Sequence, residues 1–225
     1  MPGLFELSLP FQRKVLARSF DRVKVRSWIR EARGAYRDLR AELPEIGGRR
    51  NKMRGFLTSS TILMPIASIL KREGVDIRKI GEIIYDISAL AFSKIPTFIR
   101  KAQVSRFFGA REMRKWRMIA SRSKEREYGG DWVLDFVEGD YACHHGYDIA
   151  ECGILKFWKS RGLEELVPYL CLTDWAKWKA LGIEARRTGT LANGSASCDF
   201  RFVRAGGETP AGWPPETMPE WKRMT

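Results

Sequence analysis

The sequence has few of the residues and patterns that usually mark a binding or catalytic site. It contains two histidines, no Cys-x-x-Cys pair and no glycine-rich phosphate loop, so the usual support for a zinc knuckle or a nucleotide-binding motif is missing. Residues 1–10 carry no basic segment followed by an apolar one, so no signal peptide is predicted. We therefore expect a cytoplasmic protein with reduced thiols rather than a disulfide framework.

Long uncharged apolar runs are also missing. The longest, residues 56–70, has 15 residues, six of which are Thr, Ser or Pro. A membrane span needs about 20 predominantly apolar residues, so the run predicts a buried helix and no transmembrane segment. The hydrophobic fraction of 44% and the 8 tryptophans exclude a disordered chain.

Positive charge is in excess, and its distribution divides the chain. Residues 1–128 contain 29 Lys and Arg against 13 Asp and Glu, giving +16, whereas residues 129–225 contain 11 against 14, giving −3. We expect a basic helical region over 1–128, a motif-bearing region over 129–205 integrated with it, and an irregular tail over 206–225. The basic excess predicts weak, salt-sensitive attraction to polyanions.

Apolar residues at helical spacing predict several helices in the basic region. They cover residues 25–42, a stretch that starts at Asn51 or within residues 58–61 and runs to Arg72, a helix capped by Asp76, and residues 96–122.

The pattern changes after Gly129 and Gly130. Residues 131–139 predict a strand, whereas residues 147–160 and a stretch through Pro168 to Gly182 predict two helices. Residues 186–191 and 197–204, joined through an Asn-Gly turn at 193–194, predict a hairpin. The expected fold class is α+β, with a helical N-terminal layer followed by a compact β-α-α-β-β unit.

Two cysteine–aspartate pairs form the candidate site. Cys171 and Asp174 are three residues apart on a predicted helix, so they share a face. A carboxylate disfavours a neighbouring thiolate unless a cation compensates, and Arg187 is the candidate cation. Cys198 and Asp199 are adjacent on a predicted strand and should point to opposite faces, with Cys198 toward the core.

The remaining candidates carry weaker signals. Asp199 shares its strand face with Arg201, which predicts a surface ion pair between them. His144 lies in a predicted loop beside His145, and it is the candidate general base because histidine alone titrates near pH 7 unperturbed. The alternatives are buried cysteines that act as small hydrophobes, a surface role for Asp174, and a solvated His144. Spacing alone leaves these alternatives open.

Four separated stretches carry a resemblance to a known family: Glu151-Cys152-Gly153, residues 162–174 (GLEELVPYLCLTD), residues 187–194 (RTGTLANG) and residues 198–202 (CDFRF). Together they resemble the L-2-amino-thiazoline-4-carboxylic acid hydrolase family. The resemblance implies hydrolysis of a carbon–nitrogen bond in a small cyclic amidine-like substrate, a ring opening on the route to cysteine in the namesake activity. A biosynthetic relative with another substrate fits equally, since one fold can serve several chemistries.

The resemblance carries over residue by residue to nine positions. These are Cys152, Cys171, Asp174, Arg187, Thr190, Gly194, Cys198, Asp199 and Arg201. They suit a mechanism in which the thiolate of Cys171 or Cys198 attacks the amidine carbon. Asp174 or Asp199 would bind the protonated nitrogens and shuttle protons.

The same resemblance implies a substrate that carries a carboxylate as well as an amidine-like group. Arg187 would grip that carboxylate, with Thr190, Asn193 and Arg201 completing the substrate-binding set. No cofactor is expected.

A rival mechanism has Cys152, Cys171 and Cys198 converge on a metal ion that activates water.

Two further alternatives concern tryptophan and arginine. Three tryptophans either line a larger pocket or pack in the core: Trp158, Trp175 and Trp178. A basic face could contact nucleic acid or an anionic surface, which would make the chain a binding protein; its residues are Arg111, Arg114, Lys115 and Arg117. An inactive partner subunit is the third possibility.

Overall fold

A helical layer precedes an antiparallel sheet in the computed structural model, which describes residues 3–204 and 209–222 without the side chain of residue 49. The helices before the sheet are α1 (Leu4–Leu16), α2 (Arg22–Ala41), α3 (Met53–Ser60), α4 (Met64–Arg72), α5 (Ile77–Ser93), α6 (Thr97–Phe107) and α7 (Ala110–Ser123). The predicted α+β class, with its helical layer first, is confirmed.

Local signals explain where several of these helices begin. Asp21 caps α2 by accepting from the Val23 backbone N–H at 2.7 Å, and Asp76 caps α5 through the Lys79 N–H at 3.2 Å. The helix predicted to end at Arg72, from a start at Asn51 or within residues 58–61, is two helices, and Pro65 lies in the first turn of the second. The predicted helix over residues 96–122 is also two, because the chain turns at Phe108 and Gly109.

The second region contains one strand more than expected. Its elements are β1 (Val133–Glu138), β2 (His145–Glu151), α8 (Gly153–Lys159), α9 (Val167–Leu181), β3 (Glu184–Arg186) and β4 (Cys198–Val203). The predicted β-α-α-β-β order is therefore β-β-α-α-β-β. The prediction of a helix from Tyr147 was wrong because residues 145–151 alternate between the two sides of a sheet, and the helix starts only at Gly153.

The sheet has the order β1-β2-β4-β3, and its neighbouring strands are antiparallel. Ile149 on β2 lies opposite Cys198 on β4, and Tyr147 lies opposite Phe200. Cys198 and Phe200 are buried, with 6% and 9% of their surface exposed. The expectation that Cys198 faces the core is thereby confirmed.

The connection between β3 and β4 is longer than the two-residue turn that the sequence suggests. The strands pair as a hairpin, but β3 starts at Glu184, before the predicted position, and the loop includes a 3₁₀ turn at Leu191–Asn193. Gly194 follows that turn with φ of 82°, a left-handed conformation that favours glycine. The Asn-Gly pair therefore ends a turn inside a loop.

One cluster of buried apolar side chains runs through both regions, from Phe5 to Met218. α9 packs along α5 and against β3, and α7 packs on β1. The tryptophans at 158, 175 and 178 belong to this cluster and are 0%, 1% and 5% exposed, so they pack in the core rather than line an open pocket. In the described part of the tail, a 3₁₀ turn at Pro215–Thr217 interrupts an irregular but closely packed chain. Residues 205–208 and 223–225 lie outside the described residues.

One stretch of the described chain, Met53–Arg72, is long and apolar enough to cross a membrane by length and composition. Within the fold, 61% of its most apolar window is buried, in line with the buried helix that the sequence predicts there.

The basic residues of α7 are not equivalent. Arg117 is paired with Glu138 through two hydrogen bonds of 2.5 and 2.6 Å, and Lys115 is half-buried, whereas Arg111 and Arg114 are exposed.

Candidate functional site

A buried arginine holds the motif-bearing elements together. The side chain of Arg187, just after β3, has 0% of its surface exposed. Its Nη1 donates to Asp174 Oδ2 at 3.2 Å, and its Nη2 donates to Glu220 Oε1 at 2.7 Å and to the Cys171 carbonyl at 3.0 Å. One side chain therefore links the end of β3 to α9 and to the tail.

Aromatic rings enclose the Arg187 guanidinium. The centroids of Trp175, Trp178 and Phe200 lie 5.3, 5.8 and 5.1 Å from its Cζ atom, and Trp175 Nε1 donates to Glu220 Oε1 at 2.8 Å. Burial acts to lower the pKa of Arg187, but the carboxylates of Glu220 and Asp174 raise it above its ordinary value. The arginine therefore stays charged, and its burial depends on these two partners.

This placement differs from the role that the resemblance implies for Arg187. A side chain without exposed surface, with both terminal nitrogens bonded to protein oxygens, is not placed to grip the carboxylate of an incoming substrate. Its contacts make it a positioning residue: it fixes the helix segment from Cys171 to Asp174 relative to the sheet.

Asp174 is the charged group of this cluster that reaches solvent. Its side chain is 39% exposed, in contrast to 0% for Arg187 and for Glu220. Burial of the surrounding site raises the pKa of Asp174, while Arg187 and Lys177 oppose the rise. A carboxyl group with a raised pKa is better matched to proton transfer near neutral pH than an ordinary aspartate.

The three motif cysteines lie within electrostatic range of Asp174. Burial raises the pKa of Cys171 well above its ordinary value, opposed by Arg187, and the charges of Cys198, Asp174 and Cys152 raise it further. Burial raises the pKa of Cys198 to about 12, although the Leu191 N–H donates to its Sγ at 3.2 Å. All three are free thiols in this structure. At neutral pH they are protonated, so a thiolate mechanism needs a base beside them.

Asp199 braces the loop that follows β3. Its Oδ1 accepts the backbone N–H groups of Thr188 and Gly189 at 2.9 and 2.7 Å, and its Oδ2 accepts the Thr188 hydroxyl at 2.6 Å. It points away from the Cys198 side of β4, as strand alternation predicts. The predicted ion pair between Asp199 and Arg201 does not form, because Arg201 donates to Asp148 on the neighbouring strand at 2.8 and 3.1 Å.

Thr190 and Asn193 bond to each other within the same loop. The Thr190 hydroxyl donates to Asn193 Oδ1 at 2.6 Å and accepts the Asn193 backbone N–H at 3.1 Å. Thr190 is 0% exposed. These contacts show how the loop is shaped, and they give Thr190 no surface for direct contact with a substrate.

His144 is separated from the cysteines by the length of a strand. It precedes His145, which pairs with Phe202, four residues along β4 from Cys198. That distance is about 13 Å along the strand. Burial lowers the pKa of His144, and its ring contacts Phe108 and His145. The structure therefore does not bring the expected general base to the cysteine cluster.

No group of three or more His, Cys, Asp or Glu side chains among the described residues is arranged to hold a metal ion. The three-cysteine metal site of the rival mechanism is accordingly not formed in this geometry. Two open clefts of about 380 and 510 Å³ lie nearby, and neither has Asp174 or a motif cysteine in its lining. Within the cluster, the partly exposed side chains are those of Asp174, Cys171 and Cys152.

Comparison with known proteins shows the family of the chain. The model of the L-2-amino-thiazoline-4-carboxylic acid hydrolase family matches residues 56–202. The chain belongs to this family. The match runs from α3 to β4 and includes all nine motif positions. Neither the curated proteins nor the solved structures contain a match to the chain.

Sequence reasoning missed one member of the cluster around Arg187. Glu220 is 1% exposed and pairs with Arg187, yet it lies beyond the family match, in a segment rich in Pro and Gly. The only available signal was an acidic residue next to Trp221 in an otherwise irregular tail, which does not distinguish a buried partner from a surface charge.

Proposed function

We propose that this member of the hydrolase family opens a carbon–nitrogen bond in a small cyclic amidine-like substrate of the thiazoline type. The observation that carries the proposal is the partly exposed Asp174 carboxylate, which is held by buried Arg187 and lies within electrostatic range of three thiols. A carboxylate in this setting is suited to bind a protonated amidine, because the two form paired charge-assisted hydrogen bonds. The family match supports hydrolysis of a thiazoline-type substrate.

Cys171 is the better placed nucleophile of the two candidates. It is half-buried and lies one helical turn from Asp174 on the same helix, whereas Cys198 is 6% exposed. Asp174 accepts the proton of the Cys171 thiol as the sulfur forms a bond to the amidine carbon. The ring carbon–nitrogen bond then breaks, and Asp174 returns the proton to the leaving nitrogen.

Water completes the reaction. It adds to the carbon that Cys171 carries and gives up its protons as the sulfur–carbon bond breaks, which restores the thiol and releases a carbamoyl product. For 2-amino-thiazoline-4-carboxylate the product has gained one water, a free primary amine and a carbamoyl group on sulfur. Each step needs only the thiol, the carboxyl group and water.

Incubation of the purified protein with L-2-amino-2-thiazoline-4-carboxylate tests the proposal. We expect mass spectrometry to detect a product heavier by one water, and an amine reagent to label it while a thiol reagent does not. A product that carries a free thiol would indicate cleavage of the carbon–sulfur bond. That result, or an unchanged substrate, would contradict the proposal.

A further inference from the structure

A cluster of cations includes Lys177, which lies on the same helix as Asp174. Lys177 follows Asp174 by one helical turn on α9 and acts on its pKa. Lys52, before α3, has its pKa lowered to about 8 by burial and by the charges of Lys115, Arg106 and Lys177. Three cations from three other segments therefore lie close enough to repel the charge on Lys52.

Negative charge is scarce in this cluster. Glu112 pairs with Lys52 and, at 3.8 Å, with Arg106. Lys115 and Lys177 form no ion pair with a carboxylate in the described part of the chain. Four cations against the two carboxylates of Glu112 and Asp174 leave a local positive excess, which favours an anionic ligand.

Two aromatic rings join the cationic side chains. Lys177 Nζ lies 5.6 Å from the centroid of Phe56, and Lys52 Nζ lies 4.4 Å from that of Trp116. The two ring centroids are 6.1 Å apart. Phe56 is 36% exposed, so this ring pair is open to solvent on the Phe56 side. Apolar rings with a few polar groups are typical of small-molecule sites.

Two buried hydrogen-bonding groups, one on Trp116 itself and one on the neighbouring Tyr147, lack partners among the described residues. The Trp116 Nε1 and Tyr147 Oη atoms have no hydrogen-bond partner among the described residues, and each residue is 6% exposed. Their rings pack with centroids 4.3 Å apart. Buried polar groups are rarely left unpaired, and both of these can donate to an acceptor such as a carboxylate or a water that it holds.

We propose that Lys177 and Lys52, which flank the Phe56–Trp116 ring pair, bind the carboxylate of the substrate while its amidine faces Asp174. The inference rests on the proposed hydrolase function and assigns to these lysines the part that buried Arg187 cannot take.

The test measures binding apart from turnover. L-thiazolidine-4-carboxylate has the carboxylate on a saturated ring without an amidine, and thiazolidine lacks the carboxylate. Isothermal titration should show that the wild type binds the acid more tightly than thiazolidine. Lys177→Gln should weaken binding of the acid by about tenfold or more, because a charge-assisted contact is lost, whereas Lys177→Arg should largely retain it.

Lys179→Gln is the matched control, since Lys179 is exposed on the same helix, and it should bind the acid like the wild type. Equal binding of the acid to wild type and Lys177→Gln would overturn the proposal, as would failure of the wild type to prefer the acid over thiazolidine. The variants should have the same far-ultraviolet circular dichroism spectrum as the wild type, which would show that weaker binding does not come from a folding defect. A protein that binds the acid through Lys177 but does not hydrolyse the thiazoline contradicts only the proposed function.

Discussion

Asp174→Asn should lower kcat for thiazoline hydrolysis by about 10² to 10⁴-fold, the usual contribution of a general acid–base group. An asparagine can still accept the hydrogen bond from Arg187 Nη1, so the position of α9 is retained. It cannot accept the thiol proton or return a proton to the leaving nitrogen. Steady-state kinetics with L-2-amino-2-thiazoline-4-carboxylate measures the loss.

The pH dependence distinguishes a proton-transfer role from a structural one. A base must be ionised, so activity is present above the pKa of Asp174 and is lost as the pH falls through it. Because burial raises this pKa, the loss in kcat/KM should begin at a higher pH than for an ordinary aspartate. Asp174→Glu should retain an acidic limb, whereas Asp174→Asn should lack it.

Asp86→Asn provides the control for this comparison, since Asp86 pairs with Arg18 on the surface. Its kcat should equal that of the wild type. An Asp174→Asn variant with wild-type kcat and an unchanged acidic limb would remove Asp174 from the mechanism.

Glu220→Ala should lower the free energy of unfolding by about 3–5 kcal/mol, the range expected when one partner of a buried ion pair is removed. The change leaves Arg187 buried with Asp174 as its remaining carboxylate partner, and it also deprives Trp175 Nε1 of its acceptor. The whole fold is expected to be stable by about 5–15 kcal/mol, so this loss is large. Urea unfolding followed by tryptophan fluorescence measures it.

Glu216→Ala is the matched control in the same tail. Glu216 pairs with Arg78 on the surface, and its side chain is 59% exposed. A surface pair contributes about 0–1 kcal/mol, so this variant should unfold close to the wild-type urea midpoint. Equal midpoints for Glu220→Ala and Glu216→Ala would contradict the role of Glu220 as the buried partner of Arg187.

The fold was predictable where one local signal dominated. Asp76 marks the start of α5. The alternation of side chains along a strand correctly predicted that Cys198 faces the core. β2 was missed because the apolar residues of α8, such as Leu155 and Phe157, extend a helical spacing backward over Tyr147. A period of two residues in a short strand was indistinguishable from part of that helix until its pairing with β1 and β4 was known.

The proximity of several candidate residues was predictable, but the contacts that each residue makes were less so. The resemblance places Cys171, Asp174 and Arg187 in one motif, and the fold brings them into contact. Whether an arginine binds a substrate or fixes the position of a helix depends on its burial. Here Arg187 is buried by Glu220 and by aromatic rings that are distant in sequence. Asp199 likewise bonds to a loop whose path only the three-dimensional fold defines.

Replacement of Cys171 by serine tests the central claim most directly. We predict that hydrolysis of L-2-amino-2-thiazoline-4-carboxylate by Cys171→Ser falls by at least about 10²-fold, because a serine hydroxyl beside Asp174 is a much weaker nucleophile than a thiolate. Cys143→Ser should keep wild-type turnover, since Cys143 lies in the loop before β2, outside the cluster. Full activity in Cys171→Ser would contradict the assignment of the nucleophile, and full activity in Cys152→Ser, Cys171→Ser and Cys198→Ser alike would contradict thiol catalysis in this site.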